Sequence, residues 1–229
     1  MHKKEQALQL ILQQKLLPLY YQPDAETSRS ILEALYAGGM RVVEYTNRGE
    51  QALENFRMLQ QIKRTMPGMM LGIGTIKNAA DALKFIDAGA DFIVAPTTNV
   101  EVGQKAFSAG LLWIPGCMTP TEIGVAEAAG ATLVKLFPGN LLGPTFVTGV
   151  RELFPRMHFM PTGGVEAEKK NLKKWFQAGV SAVGIGSKLI TKELVEEKDF
   201  KRLRKAAAEA LMLVNDAGSK GSRSAVKPV

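Results

Sequence analysis

Two charged residues stand where charge is costly. Lys135 lies inside the apolar run LVKLF and Glu44 inside VVEYT, and a charged side chain with such neighbours is seldom buried unless it is paired or used. A lysine taken out of water can have its pKa lowered by several units from about 10.4, leaving a neutral amine able to attack a ketone. The protonated imine that results is an electron sink. A nearby carboxylate can then move the protons that carbinolamine formation and carbon–carbon cleavage require, and Glu44 is the candidate. The competing reading is a buried ion pair that only fills the core, although such pairs often cost as much desolvation as their attraction returns.

A second group is built from glycines and small hydroxyls. Thr162, Gly163 and Gly164 follow HFMP, while Gly184, Gly186 and Ser187 lie in VGIGS. Glycines there let backbone N–H groups approach an anion, although tight turns alone would also use them. Thr75 follows Gly72 and Gly74, so its hydroxyl and the local amides can hold a carboxylate. Arg48, in VVEYTNRG, can do the same in a bidentate way.

The elements that position these residues announce themselves by repetition. AGGMRVVEY, AGADFIVAP, AGLLWIPG, AGATLVKLF and AGVSAVGIG each place a small residue and glycine before an apolar run. Glycine closes a helix in the left-handed conformation, and the apolar run after it reads as a strand buried on both faces. PGMMLGIG, PRMHFMP and the opening run LLPLYY add three more, giving eight strands that begin close to residues 17, 41, 70, 91, 111, 132, 158 and 182. Amphipathic stretches such as AETSRSILEALYA and ENFRMLQQIKR separate them.

Eight β/α units predict an α/β fold, a closed (β/α)8 barrel of the TIM type, with an extra amphipathic helix ahead of the first strand. An open doubly wound sheet is the alternative, but YYQPDAETS after the first strand lacks its GxGxxG fingerprint. A single domain is expected over residues 1–216, with residues 217–229 a disordered tail of Gly/Ser-rich, aperiodic sequence. In a barrel the site gathers at the carboxyl ends of the strands, and the loops after the seventh and eighth form the usual phosphate cradle. The second and sixth strands contribute to the same interior layers, so Glu44 and Lys135 are expected to meet across the barrel mouth.

Composition removes several function classes. Hydrophobic residues at 46% and charged residues at 22% describe an ordinary globular protein and not a disordered chain. No segment approaches the roughly 18 consecutive apolar residues that span a bilayer, so no membrane partner is expected. MHKKEQALQLILQQKLL is interrupted by Gln and Glu and does not read as a signal peptide. The lone Cys117 with two histidines is too little for a Cys/His metal site and points to a reducing, cytoplasmic setting. The net charge of +7 is spread over helices and the tail, which reads as solvated faces and not as a nucleic-acid site. Cys117, His158, Trp113 and Trp175 read as packing residues.

The strand ends VVEYTNRG, GIGT, IPGCMTPTE, VKLFP, PTGGV and GIGS, in this order and spacing from roughly Leu17 to Ile190, resemble the 2-keto-3-deoxy-6-phosphogluconate (KDPG) and 4-hydroxy-2-oxoglutarate aldolase family. The resemblance implies that Lys135 is the Schiff-base lysine and Glu44 the general acid/base, with Arg48 and Thr75 binding substrate. It implies that Pro96, Pro115, Gly116 and Phe137 shape the pocket and that Gly163, Gly164 and Ser187 hold the phosphate; from their place in the two glycine clusters, Thr162 is expected to bind substrate and Gly186 to join the phosphate loops. It further implies a homotrimer without metal or cofactor.

Two departures bear on the substrate. LFPGN stands where the family often has FFPAE, and the first strand ends in Tyr20, Tyr21 and Gln22 where it often ends in arginine. The expected function is reversible cleavage of KDPG, or a related 4-hydroxy-2-keto acid, to pyruvate and glyceraldehyde 3-phosphate. The alternatives are cleavage of unphosphorylated 4-hydroxy-2-oxoglutarate to pyruvate and glyoxylate, a phosphosugar isomerase, and a non-catalytic anion-binding barrel.

Overall fold

The computed structural model describes residues 2–219. A helix, α1 (Lys3–Gln14), precedes strand β1 (Leu16–Tyr20), and β/α units then follow. They are α2 (Ala25–Ala37), β2 (Val42–Thr46), α3 (Ala52–Lys63), β3 (Met70–Gly74), α4 (Ala79–Asp87), β4 (Phe92–Val94) and α5 (Val100–Ser108). The second half contains β5 (Leu112–Ile114), β6 (Gly116–Cys117), α6 (Pro120–Ala128), β7 (Leu133–Leu136), α7 (Gly139–Val150), β8 (His158–Pro161), α8 (Lys169–Ala178) and β9 (Val183–Ile185). Two helices, α9 (Lys192–Glu196) and α10 (Phe200–Ser219), complete the described chain.

The strands are parallel and run in the order β5-β4-β3-β2-β1-β9 in one sheet and β6-β7-β8 in the other. A bridge between Thr162 and Gly184 joins β8 to β9, and β5 with β6 is one barrel strand interrupted at Pro115, so the eight-stranded barrel closes. Pro115 has no N–H to give a ladder, yet its carbonyl accepts the Lys135 N–H at 2.8 Å. Counting that pair as one, each strand starts within one residue of its expected position. In the five repeated junctions Gly39, Gly89, Gly110, Gly130 and Gly179 have φ between +69° and +105°, the conformation that ends a helix before a strand.

Two apolar layers hold the fold. Between the sheet and the helical ring lies the larger core, in which Trp113, Phe56, Trp175 and Leu203 are buried. Inside the barrel, Leu17, Val42, Phe92, Leu133 and Met160 pack with Ala7 and Ile11 of α1, so the leading helix plugs the base. Gln14 fastens the plug: its amide donates to the carbonyls of Leu16 and Val42, and its Oε1 accepts the N–H groups of Arg41 and Val42.

The chain departs from expectation at its end. Residues 217–219 belong to α10 and not to a tail, because Ala217 is buried and Gly218 packs against the Lys15 side chain. The remainder of the expected tail lies outside the described residues. Among the described residues no helix is long and apolar enough to cross a membrane.

Candidate active site

Strand parity carries two charges into the barrel. Val42 and Leu133 fill the interior near the base, and two residues further along the same strands come Glu44 and Lys135, which are 1% and 4% exposed. Neither Glu44 oxygen has a hydrogen-bond partner. Burial raises the Glu44 carboxyl above 4.5, against the opposing pull of Lys135 and then Arg48. Glu44 and Lys135 share the barrel interior and act on each other electrostatically, but no hydrogen bond or ion pair joins them. The glutamate instead leans across its neighbouring strand onto Gly74, where any β-carbon would overlap Oε1. Gly74 is therefore the space the carboxyl occupies.

Lys135 opens into a cleft of about 620 Å³ at the carboxyl ends of the strands. Among the described residues its ammonium makes no hydrogen bond or ion pair, and it lies 5.1 Å from the centroid of the Phe137 ring. Arg48, Thr75 and Pro96 line the same cleft. Arg48 is exposed and its guanidinium is unpaired among the described residues. Thr75 has φ +62°, a left-handed conformation that a β-branched residue adopts only under constraint and that clusters at ligand sites.

The far wall contains the expected anion loops. Thr162, Gly163, Gly164, Gly184, Gly186 and Ser187 all line the cleft. Gly163 and Gly164 have φ +91° and +72°, and the turn is laced to the start of α7, the helix after the lysine strand: Gly139 N–H donates to Thr162 O at 2.7 Å and Asn140 N–H to Gly163 O at 2.8 Å. Gly139 and Asn140, the residues that depart from the family pattern, are thus the ones that hold this turn. Thr162 is 5% exposed and its Oγ1 is without a partner.

Two expected pocket residues are placed elsewhere. Pro115 and Gly116 are buried and do not line the cleft; a β-carbon on Gly116 would strike the Pro96 backbone, so this pair lets two strands close beneath the site. Conversely, Lys188, Lys192 and Glu196 line the cleft although their sequence carries no periodic signal, Lys188 paired with Glu166 at 3.1 Å and Lys192 with Glu196 at 3.5 Å. A second cleft, of about 530 Å³, lies around Lys3, Arg57, Arg64 and Asp91 at the base and holds none of the expected site residues.

The residues read as packing behave so. Cys117 is 1% exposed, and burial pushes its thiol up to about 11, far from a reactive thiolate. His158 starts β8 at the base, 2.9 Å from Ser181 Oγ, and its burial lowers its pKa. Among the described residues no group of three or more His, Cys, Asp or Glu side chains gathers as a metal site would.

Residues 8–206 match the family described as KDPG and KHG aldolase. The 2-dehydro-3-deoxy-phosphogluconate aldolase of Dickeya dadantii is 30% identical over 215 residues, covering 91% of this chain and 96% of that protein. A probable 2-dehydro-3-deoxy-6-phosphogalactonate aldolase of Rhizobium meliloti is 30% identical over 166 residues, covering 72% and 76%. The solved 2-keto-3-deoxy-6-phosphogluconate aldolase of Zymomonas mobilis with 3-phosphoglycerate superimposes with a TM-score of 0.80 at 25% identity, covering 90% of this chain and 95% of that one. With its barrel, its buried lysine and these relatives, the chain belongs to the KDPG and KHG aldolase family and is an aldolase, a carbon–carbon lyase.

Proposed function

We propose that the enzyme is a class I aldolase that reversibly cleaves KDPG to pyruvate and glyceraldehyde 3-phosphate. The observation that carries this reading is an unpaired lysine, 4% exposed, opening into a cleft beside a buried carboxyl that also has no partner. Uncompensated burial of both groups is destabilising, and catalysis is where such an arrangement is put to use.

In this mechanism Lys135 attacks C2 of the keto acid and a water leaves to give the imine. Arg48 and the strained Thr75 hold the substrate carboxylate and fix C2 against the amine. Glu44, whose carboxyl burial holds above its ordinary range, carries the proton for the carbinolamine and the C4 hydroxyl. Cleavage between C3 and C4 sends the electron pair into the imine, the C4 oxygen loses its proton as the aldehyde forms, and hydrolysis of the remaining imine frees pyruvate and Lys135. The N–H groups at Gly163, Gly164 and Ser187 receive the phosphate. Phe137 and Pro96 bound the reacting end.

A second reading, cleavage of 4-hydroxy-2-oxoglutarate to pyruvate and glyoxylate, is favoured by one observation: Tyr20, Tyr21 and Gln22 make the cleft wall after β1 neutral. Comparing kcat/KM for the two substrates separates them. At least a tenfold preference for KDPG is expected, and the reverse preference would establish the second reading. We further place the enzyme in the cytoplasm as a homotrimer acting on small molecules, which sedimentation velocity of the purified protein checks for the assembly.

A further inference from the structure

A substrate phosphate brings about two negative charges to the far end of the cleft. The backbone there answers with partial charges only: the N–H groups of Gly163, Gly164 and Ser187 donate to nothing among the described residues, but none is a full cation. Arg48 and Lys135 line the cleft at the reacting end, where the mechanism above uses them. A full positive charge beside the phosphate has to come from Lys188 or Lys192, which line the same cleft.

Lys188 is the better placed of the two. It follows Ser187 directly, and its ammonium lies 3.1 Å from the carboxylate of Glu166, which follows the glycine turn and Val165. This ion pair therefore runs from one anion loop to the other. Glu166 is fixed at its backbone, because its N–H donates to Asn171 Oδ1 at 3.3 Å and Val165 before it is buried. The Lys188 and Glu166 side chains are 56% and 37% exposed. An ion pair so open to water contributes little to stability, so the ammonium can change partners at small cost. Lys192 is instead 86% exposed and paired with Glu196 along α9, where water already screens it.

We propose that Lys188 is a specificity-determining residue and that Glu166 is its competitor: the arriving phosphate takes the ammonium from the carboxylate. This rests on the phosphorylated-substrate reading above. A phosphate oxygen accepts strong, charge-assisted hydrogen bonds from an ammonium and can displace a carboxylate from it. A hydroxyl at the same position is neutral and leaves the Lys188–Glu166 pair closed. The pair thus separates phosphorylated from unphosphorylated keto acids by charge, at a distance from the bonds that change.

The test measures kcat and KM of the full chain for KDPG and for its unphosphorylated counterpart. Lys188→Met is expected to raise KM for KDPG about tenfold with kcat within about twofold, and to lower the phosphorylated-to-unphosphorylated ratio of kcat/KM by a similar factor. Lys188→Arg, which keeps the charge, is expected to recover most of that ratio, a rescue that loss of packing alone would not give. Glu166→Gln frees the ammonium and is expected to lower KM for KDPG about threefold. Circular dichroism establishes that each variant is folded. A wild type with no preference for KDPG removes the phosphorylated-substrate reading and the role of Lys188 with it. A wild type that prefers KDPG, beside a folded Lys188→Met that keeps the same preference and KM, overturns the role of Lys188 alone. An unchanged or raised KM in folded Glu166→Gln overturns Glu166 as the competitor.

Discussion

Glu44, on β2, and Asp91, just ahead of β4, are both buried carboxyl groups of the same barrel, 1% and 4% exposed, and they are treated oppositely. Asp91, at the base where β4 begins, is held by Lys3 at 3.0 Å and by Lys63, and it accepts the Leu71 N–H at 2.7 Å. Glu44, midway along its strand, accepts nothing. A carboxylate with both oxygens engaged fixes one arrangement of strands and helices, whereas one left unengaged keeps its proton exchangeable and its oxygens available. The base of the barrel is thus built for stability and the mouth for chemistry, in keeping with the division that barrels of this type show.

Substitutions that exchange these roles should give opposite signatures. The largest effect is expected at Lys135: Lys135→Ala should lower turnover on the order of 10⁴-fold or more while leaving the melting temperature equal or higher, since an unpaired buried charge is removed. Retained turnover would place the chemistry elsewhere. Asp91→Ala should instead cost about 3 kcal/mol of stability, because Lys63 and the Leu71 N–H lose their acceptor, with turnover per folded molecule little changed. Urea unfolding and active-site titration measure the two quantities separately.

Glu44→Gln is expected to lower turnover by about 10²-fold, with much less loss of pyruvate binding. Unchanged turnover would remove Glu44 from the mechanism. The smallest effect is one of pH. Burial raises the Glu44 carboxyl above 4.5, so ionising it in the fold carries a cost that is absent below about pH 4.5 and is fully present above the raised folded value. Glu44→Gln has no such cost. Its stability relative to the wild type should therefore grow as the pH rises through that window, and melting curves across pH would reveal a flat difference if the account is wrong.

Much of this contrast was legible in the residues. Lys135 and Glu44 stand inside apolar runs, where alternation alone turns them into the barrel, and the glycine of the repeated signature marks the start of five of the strands. Asp91 was not, because it stands ahead of FIV and looks like a loop residue until Lys3 and Lys63, far away in sequence, are brought to it. The close approach of the Pro96 backbone to Gly116 is a contact no local pattern encodes. Nor is the α9 wall visible in advance, since five residues are too few to show a helical period. The absence of a Glu44–Lys135 contact turns on the space at Gly74, where the sequence shows only a glycine.

The most direct test of the central claim is borohydride reduction in the presence of pyruvate, followed by intact mass and peptide mapping. A reduced pyruvyl adduct confined to the peptide that contains Lys135 is the predicted result. A folded protein that acquires no adduct, while a known class I aldolase is labelled in parallel, would contradict the Schiff-base mechanism.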